Sequence, residues 1–412
     1  MPSSTCAPCL AGKNLQKSFL IFVVTSAAFL LWSHTNQIKR SKEEEERNRR
    51  LGSNRVLNTE IVRNTAIEQY NVGKPVACSL IRAGFNHNYL VEMGNKKKYV
   101  LRVYLNDKYY IKDSNDFRFE LDFIDYLIKD HGIPTVQPIK AKNGDWLSQI
   151  RFGELPQEGA AIKTTAATNN FIRHAALFEY APGIEVANNN MELTPAHFKI
   201  LGELQARIHQ AADQFTNPNN HHRYQQDVST YLLDEPLKTL ERELSRYNMQ
   251  QQMDFFKPTA QAIRDKVAKL PKEKPYYGLN HGDLHPGNMF WDDATQTFTV
   301  IDWDHSAYGW RVYDSASMVS PNKLTFFLMG YESVRPLSLE EKEAIPLFRL
   351  LRDIWDFGDI LAFQPLWGDD NASDKNRKEE LRGYLDRLRR VATAFEEQYG
   401  DGKAAVNQAN TF

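Results

Sequence analysis

The sequence predicts an α+β fold in which strands come first and helices follow. Between Val76 and Tyr180 most apolar residues fall in short runs rich in β-branched and aromatic side chains, separated by turn residues. From Thr194 onward they recur instead at helical spacing. A third observation is the stretch Asn280–Trp303, NHGDLHPGNMFWDDATQTFTVIDW. Its first half is polar and rich in residues that stop helices and strands. Its second half reads as a turn and a β-strand, so a loop and a hairpin interrupt the helical region.

Composition narrows the class. A chain of 412 residues can bury a sizeable core in two domains or two lobes. With 51 basic and 52 acidic residues the net charge is -1, which offers no basic field to nucleic acid. Hydrophobic content of 42% and aromatic content of 12% fit an ordered globular protein. Three cysteines make no disulfide framework and fit a reducing compartment.

In chain order, Ser18–Trp32 reads SFLIFVVTSAAFLLW, uncharged and flanked by Lys13 and Lys17 before and Lys39, Arg40 and Lys42 after. About 20 apolar residues make a comfortable membrane-spanning helix, so residues 18–32 are short for one. A single-pass anchor, a signal-peptide core and a buried helix compete. The basic excess after the segment favours an anchor with the C-terminal side in the cytoplasm; a cytoplasmic protein is the alternative. Cys6 and Cys9 form a C-x-x-C with no second pair and do not predict zinc. The charge run after Ile38 reads as a solvated tether, so residues 1–55 form an anchor and tether.

Asn58 or Thr59 can cap a short helix reaching Tyr70 and ended by Gly73 and Pro75. Val76–Tyr104 reads as three strands, with a turn at Ala83–Asn88 whose backbone N–H groups suit phosphates. Alternation puts Arg102 on the face of Val100 and Tyr104, where a cation needs a partner. Leu121, Ile124, Leu127 and Ile128 have helical spacing within Phe117–Lys129, and Glu120 sits near the start of that helix. Trp146–Phe152 and Ala175–Tyr180 are further strands, with an insertion between them through Thr164–Asn170. Thr194-Pro195 opens a helix. Residues 214–275 show scattered helical pattern and no readable chemistry. Ser338 and Glu341 form a capping box that opens one helix, and Phe348–Phe363 reads as the next. That second helix mixes Arg352, Trp355, Asp356 and Asp359, a set that suits either a cationic acceptor or a solvated acidic face. A polar linker and a last helix occupy Asn371–Tyr399.

The chemistry lies in His281, Asp283 and Asn288, spaced H-x-D-x-x-x-x-N, with Asp302 at the end of the following strand. Phosphoryl transfer needs a carboxylate to orient the acceptor hydroxyl and oxygen ligands for Mg²⁺. The stretch resembles the aminoglycoside phosphotransferase and choline kinase-like family, whose loop H-G-D-x-H-x-x-N precedes I-D-[WF]-[DE]. Here those residues are His281-Gly282-Asp283, His285, Asn288 and Ile301-Asp302-Trp303-Asp304. Leu201-Gly202 through His209 and Tyr313-Asp314 match further family segments, and the resemblance extends from Val76 to about Trp367.

The resemblance implies a protein kinase-like two-lobed fold, with a small antiparallel β-sheet lobe and a larger helical lobe. Residues 56–180 would be the nucleotide-binding lobe; residues 181–412 would carry the catalytic loop and acceptor site. It implies ATP and Mg²⁺, with Asp283 catalytic and Asn288 and Asp302 on the metal. Gly84 and Asn86, Arg102 set by Glu120, and the crossover around Glu179 and Ala181 would serve the nucleotide. The implied partner is a small-molecule hydroxyl acceptor: an amino sugar, an amino alcohol or a sugar. His209 and Asp314 are expected to be structural. Only one glycine stands in the phosphate turn, where protein kinases have G-x-G-x-x-G. A protein Ser/Thr kinase of the same fold and a membrane-tethered pseudokinase that only binds nucleotide remain as alternatives.

Overall fold

This computed structural model describes residues 49–65, 67–153, 171–318, 323–363 and 374–400, and the eleven strands and nine α-helices named below lie wholly within them, besides short 3₁₀ and π segments. All of them belong to the unit Asn54–Phe412. The apolar segment 18–32, Cys6 and Cys9, and the insertion at 164–170 lie outside the described residues. Among the described residues, no helix is long and apolar enough to cross a membrane.

The first part contains α1 (Thr59–Thr65), β1 (Pro75–Ala83), β2 (Asn86–Met93), β3 (Lys98–Tyr104), α2 (Ser114–His131), β4 (Pro138–Ile139), β5 (Leu147–Phe152) and β6 (Phe171–Glu179). The strands form one antiparallel sheet in the order β1-β2-β3-β6-β4, with β5 also on β6. The helix expected to reach Tyr70 is α-helical over Thr59–Thr65 and 3₁₀ over Ile67–Gln69, and Tyr70 makes a bridge to Ala141. The turn expected over Ala83–Asn88 shrinks to Gly84-Phe85, because Asn86 already pairs with Tyr104 and Asn88 with Arg102. Tyr89, Val91, Leu101 and Val103 bury one face of the sheet, together with Leu177. The other face of β3 turns Arg102 and Tyr104 toward α2, where Tyr104 stacks on Phe117 with ring centroids 4.1 Å apart.

Helix α2 begins earlier than its apolar spacing predicts. Asp113 accepts from the Asn115 N–H, and Asp116 returns a bond to the cap, a box built from two aspartates. At its other end Gly132 takes a left-handed conformation and donates to the Ile128 and Leu127 carbonyls.

The larger, helical part contains β7 (Ile184–Glu185), α3 (Pro195–Gln214), α4 (Asp234–Ser245), α5 (Lys257–Val267), β8 (Tyr277–Asn280), β9 (Met289–Asp292), β10 (Thr297–Val300), β11 (Ala307–Trp310), α6 (Val312–Met318), α7 (Leu324–Glu332), α8 (Leu339–Phe363) and α9 (Asp374–Tyr399). Strands β10, β9 and β7 form one small sheet and β11 pairs with β8. The architecture is therefore α+β in two lobes, as the sequence implied.

The two helices expected at Ser338 and Phe348 are one. The capping box is present, with the Glu341 N–H donating to Ser338 Oγ at 3.1 Å and the Ser338 N–H to Glu341 Oε2 at 2.9 Å. Pro346 removes one backbone donor inside the helix. Ile345 and Leu347 beside it are buried with Phe348, Leu351 and Ile354 in one core, which outweighs that local loss. The 25-residue helix is a long, packed platform beside the loop that follows β8.

Candidate active site

The loop His281–Asn288 is held from behind by one carboxylate. Asp314, in the first turn of α6 and fully buried, accepts from the His281 and Gly282 N–H groups, each at 2.7 Å. His209 Nε2 meets the same carboxylate at 3.2 Å, and its Nδ1 lies 2.7 Å from the Tyr331 hydroxyl. Helices α3, α6 and α7 are thereby tied to the loop, and His209 and Asp314 sit where a bracing role requires. The Asp283 N–H donates to His281 Nδ1 at 3.2 Å, so the His281 ring carries its proton on Nε2, which meets the Ile301 carbonyl at 3.0 Å. Burial holds this histidine below its ordinary pKa and keeps it neutral.

Gly282 is required by the backbone. Its φ is +82°, and a Cβ there would lie 2.2 Å from the His305 carbonyl oxygen. Gly282→Ala is expected to cost about 2–4 kcal/mol, from left-handed strain plus overpacking. Urea unfolding of both proteins checks this, and equal midpoints would contradict it.

Hairpin register then brings distant residues together. Val300 pairs with Met289, so the next pair outward is Ile301 and Asn288, joined by the Ile301 N–H to the Asn288 carbonyl at 2.9 Å. Asp302 follows with φ +67° and ψ +65°, a left-handed conformation uncommon for a residue with a side chain. Asn288 Nδ2 donates to the Asp283 carbonyl at 2.9 Å and to its carboxylate at 3.2 Å. Both bonds use the nitrogen, which leaves Oδ1 on the opposite side of the carboxamide. From the small lobe, Arg102 reaches Glu120 at 2.8 Å and Asp302 Oδ1 at 3.0 Å. Asp283, Asn288, Asp302, Arg102 and Glu120 thus share one site.

The remaining sequence candidates lie differently. Asn86 is buried, donating to Asp304 at 2.6 Å and accepting from Lys108 Nζ at 3.0 Å, so its carboxamide is spent inside the protein. Gly84 stands at the tight turn between β1 and β2. Glu179 pairs with Lys97 at 3.2 Å near the surface, and Ala181, two residues on, is buried.

Lys108 had no role in the sequence reading; Arg352 figured there only within a mixed set on its helix, and Asp304 only within the motif. The Arg352 guanidinium, on α8, pairs directly with the Asp283 carboxylate, donates to the Gly282 carbonyl at 3.1 Å and lies 4.4 Å from the Trp355 ring centroid. Lys108, in the segment after β3, meets Asp304 at 2.8 Å. Asp304 belongs to the I-D-W-D motif, which marks its place but not its partner. Asp359 lies one stripe along α8 from Arg352. A basic residue among the acidic and aromatic ones was the available signal for Arg352, shared with Arg349 on the same helix; Lys108 carried none.

Charge is unevenly matched. Burial alone would raise Asp283, yet Arg352, with help from His285, holds its carboxyl well below the usual carboxylate range. Burial pushes Asp302 up to about 6 against the pull of Arg102, and repulsion from Asp304 and Asp283 adds to it. Asp302 Oδ1 is buried and, although close to Arg102, accepts no aligned hydrogen bond. A buried carboxylate that Arg102 only partly satisfies, beside other carboxylates and with a carboxamide oxygen across the hairpin, is a donor set that fits a hard divalent cation.

Two lobes joined over such a site define a kinase-class phosphotransferase. The chain belongs to the phosphotransferase enzyme family, which it matches over residues 77–332. A homoserine kinase of Caulobacter vibrioides is 28% identical over 300 residues, covering 68% of this chain and 80% of the relative. Among solved structures, a microcompartment-associated aminopropanol kinase superposes with a TM-score of 0.64 at 21% identity, over 83% of this chain and 99% of that one. An amicoumacin kinase bound to AMP-PNP, Ca²⁺ and Ami gives 0.61 at 20% identity, over 84% and 95%. At these identities the two structures establish the shared fold.

Proposed function

We propose that the protein moves the γ-phosphoryl group of ATP to a hydroxyl of a small molecule, with Mg²⁺. The observation that carries the reading is the hairpin register that sets Asn288 and Asp302 side by side while Asn288 also grips Asp283. Asn288 and Asp302 would hold the metal, which when bound neutralises charge on the transferred and leaving oxygens. Arg102, braced by Glu120, presents its guanidinium to the phosphates, and its fork matches their oxygens better than an ammonium would. Asp283 accepts the hydrogen bond of the acceptor hydroxyl and aims its oxygen at phosphorus. Its carboxylate, held ionised by Arg352, is a weak base. It therefore takes the proton late, as the new O–P bond forms and the bridging oxygen leaves with ADP, in keeping with a loose transition state.

Family membership and the fold support the reaction class. The amino-alcohol names of the relatives support a small acceptor. Purified protein incubated with γ-labelled ATP, Mg²⁺ and a panel of amino alcohols, amino sugars and sugars tests it. Label is expected in a small molecule, with none transferred when EDTA removes the metal. Label entering protein instead supports a protein kinase. Nucleotide binding with no transfer supports a pseudokinase, and either outcome overturns the proposal.

A further inference from the structure

The second histidine of the loop is aimed by the two residues that follow it. A proline disfavours helical backbone at the residue before it, and His285, before Pro286, is extended with φ −149° and ψ +166°. Its carbonyl accepts from the Asn288 N–H at 2.8 Å, which pins the backbone on the other side. The ring turns back over Gly287, whose N–H donates to Nδ1 at 3.0 Å. A Cβ at residue 287 would lie 2.8 Å from the ring Cε1, so glycine lets the ring seat there. A ring nitrogen that accepts a hydrogen bond carries no proton, so the neutral imidazole is protonated on Nε2. The order His-Pro-Gly thus sets one N–H donor in a fixed place.

That donor stands beside the Asp283 carboxylate. Arg352 occupies Oδ1, and Asn288 Nδ2 donates to Oδ2 at 3.2 Å. His285 Nε2 lies 3.5 Å from the same Oδ2, farther than an ordinary hydrogen bond of about 2.7–3.2 Å. The His285 side chain is 35% exposed against 17% for Arg352, so the carboxylate is open on the His285 side and closed on the Arg352 side.

We propose that His285 is a second catalytic residue, whose Nε2–H donates to the acceptor hydroxyl while that hydroxyl donates to Asp283 Oδ2. The inference rests on the phosphotransfer reading and deepens it. An oxygen about 2.8 Å from each atom bridges the gap without moving either side chain. A hydroxyl oxygen has one proton and two lone pairs. With the proton on Oδ2 and one pair held by His285, the other pair is the one left for phosphorus. In the transfer that pair forms the new O–P bond, and the bridging P–O bond breaks with its electrons leaving on ADP. The hydroxyl proton passes to Asp283, and His285 keeps its own proton throughout. A loose transition state asks little push of the nucleophile and much of its placement, so a donor that orients the oxygen helps although it engages a lone pair. Without His285 the hydroxyl would rotate about its bond to Oδ2.

Two substitutions separate this role from the ring's bond to the loop. In His285→Asn the amide oxygen replaces Nδ1 and still accepts from Gly287, but nothing reaches the place of Nε2. In His285→Gln the longer amide puts an N–H donor near Nε2 and gives up the Gly287 bond. The full chain is assayed with γ-labelled ATP, Mg²⁺ and the panel of amino alcohols, amino sugars and sugars, and its affinity for AMP-PNP is measured by calorimetry. His285→Asn is expected to keep the wild-type thermal midpoint, AMP-PNP affinity and KM for ATP, and to lose about 10–100-fold in kcat/KM for the acceptor, the scale for a misplaced reactant. His285→Gln is expected to have the lower thermal midpoint of the two and the faster transfer. His285→Asn with wild-type transfer overturns the proposal and leaves phosphotransfer standing. His285→Gln no faster than His285→Asn also overturns it, as does a His285→Asn whose midpoint and AMP-PNP affinity fall in step with its rate, which marks a structural ring. A wild type that binds AMP-PNP but labels no member of the panel defeats the phosphotransfer reading, and this inference with it.

Discussion

Asp283→Asn is expected to lower kcat by about 10²–10⁴, the usual range for a positioned acid–base group. The amide keeps the shape of the side chain and can still accept a hydrogen bond through its oxygen, but it cannot take the hydroxyl proton. The KM for ATP should stay within about twofold, because Asn288, Asp302 and Arg102 reach the site from other elements and remain in place. A second effect follows from Arg352. Its guanidinium keeps the Gly282 carbonyl but loses its one carboxylate, so about 1–3 kcal/mol of stability should be lost at neutral pH. The sign with pH is fixed by the direction of the shift. Asp283 is held below its unfolded value, so its contribution is present above about pH 4 and is lost as the pH falls. Wild-type stability should therefore drop more steeply on acidification than that of the variant. Steady-state kinetics and denaturant curves at several pH values check both effects. A variant that retains wild-type kcat would remove Asp283 from the chemistry.

Asp302→Asn should separate activity from stability. If Asp302 holds the metal as proposed, replacing it is expected to cost about 10³-fold or more in turnover, since the charge lost is one that electrostatic catalysis depends on. Without metal the effect on folding runs the other way. Burial and the nearby Asp304 and Asp283 push Asp302 up to about 6, so at neutral pH its charge opposes folding. Above its folded pKa that penalty is complete, and below its unfolded pKa it is absent. The metal-free variant should accordingly be no less stable than metal-free wild type, and more stable by about 1 kcal/mol or somewhat more. Mg²⁺ should raise the thermal midpoint of wild type in the presence of nucleotide and leave the variant unmoved. A variant equally responsive to Mg²⁺ would place the metal elsewhere.

The loop from His281 to Asn288 was readable because its chemistry is local. Gly282 and Gly287 admit turns that other residues resist, Pro286 fixes φ, and the hairpin that follows sets Asp302 beside Asn288 with few residues between. The Arg102–Glu120 pair was also within reach, since a mid-strand cation needs a partner and α2 follows directly, although the identity of that partner came from the family pattern. Asn86 shows what such reading does not reach. Its place in the turn suggested phosphates through backbone N–H groups, while its side chain is held inside the protein by two residues far along the chain, Asp304 and Lys108.

What sequence by itself determined here is the order of strands and helices, the stretch proposed as catalytic and the class of reaction its spacing serves. Tertiary structure alone decided which charges meet. Arg352 reaches Asp283 across 69 positions, and Arg223, from the region that carried no readable chemistry, donates to the Asp116 carbonyl across 107. It also decided that Asp359 is buried rather than solvated on a helix face. Periodicity shows which side of a helix is apolar, but the polar groups on its flank acquire meaning only from what packs against them. An ion pair is set by distance and burial in space, and neither quantity is carried by any short run of residues.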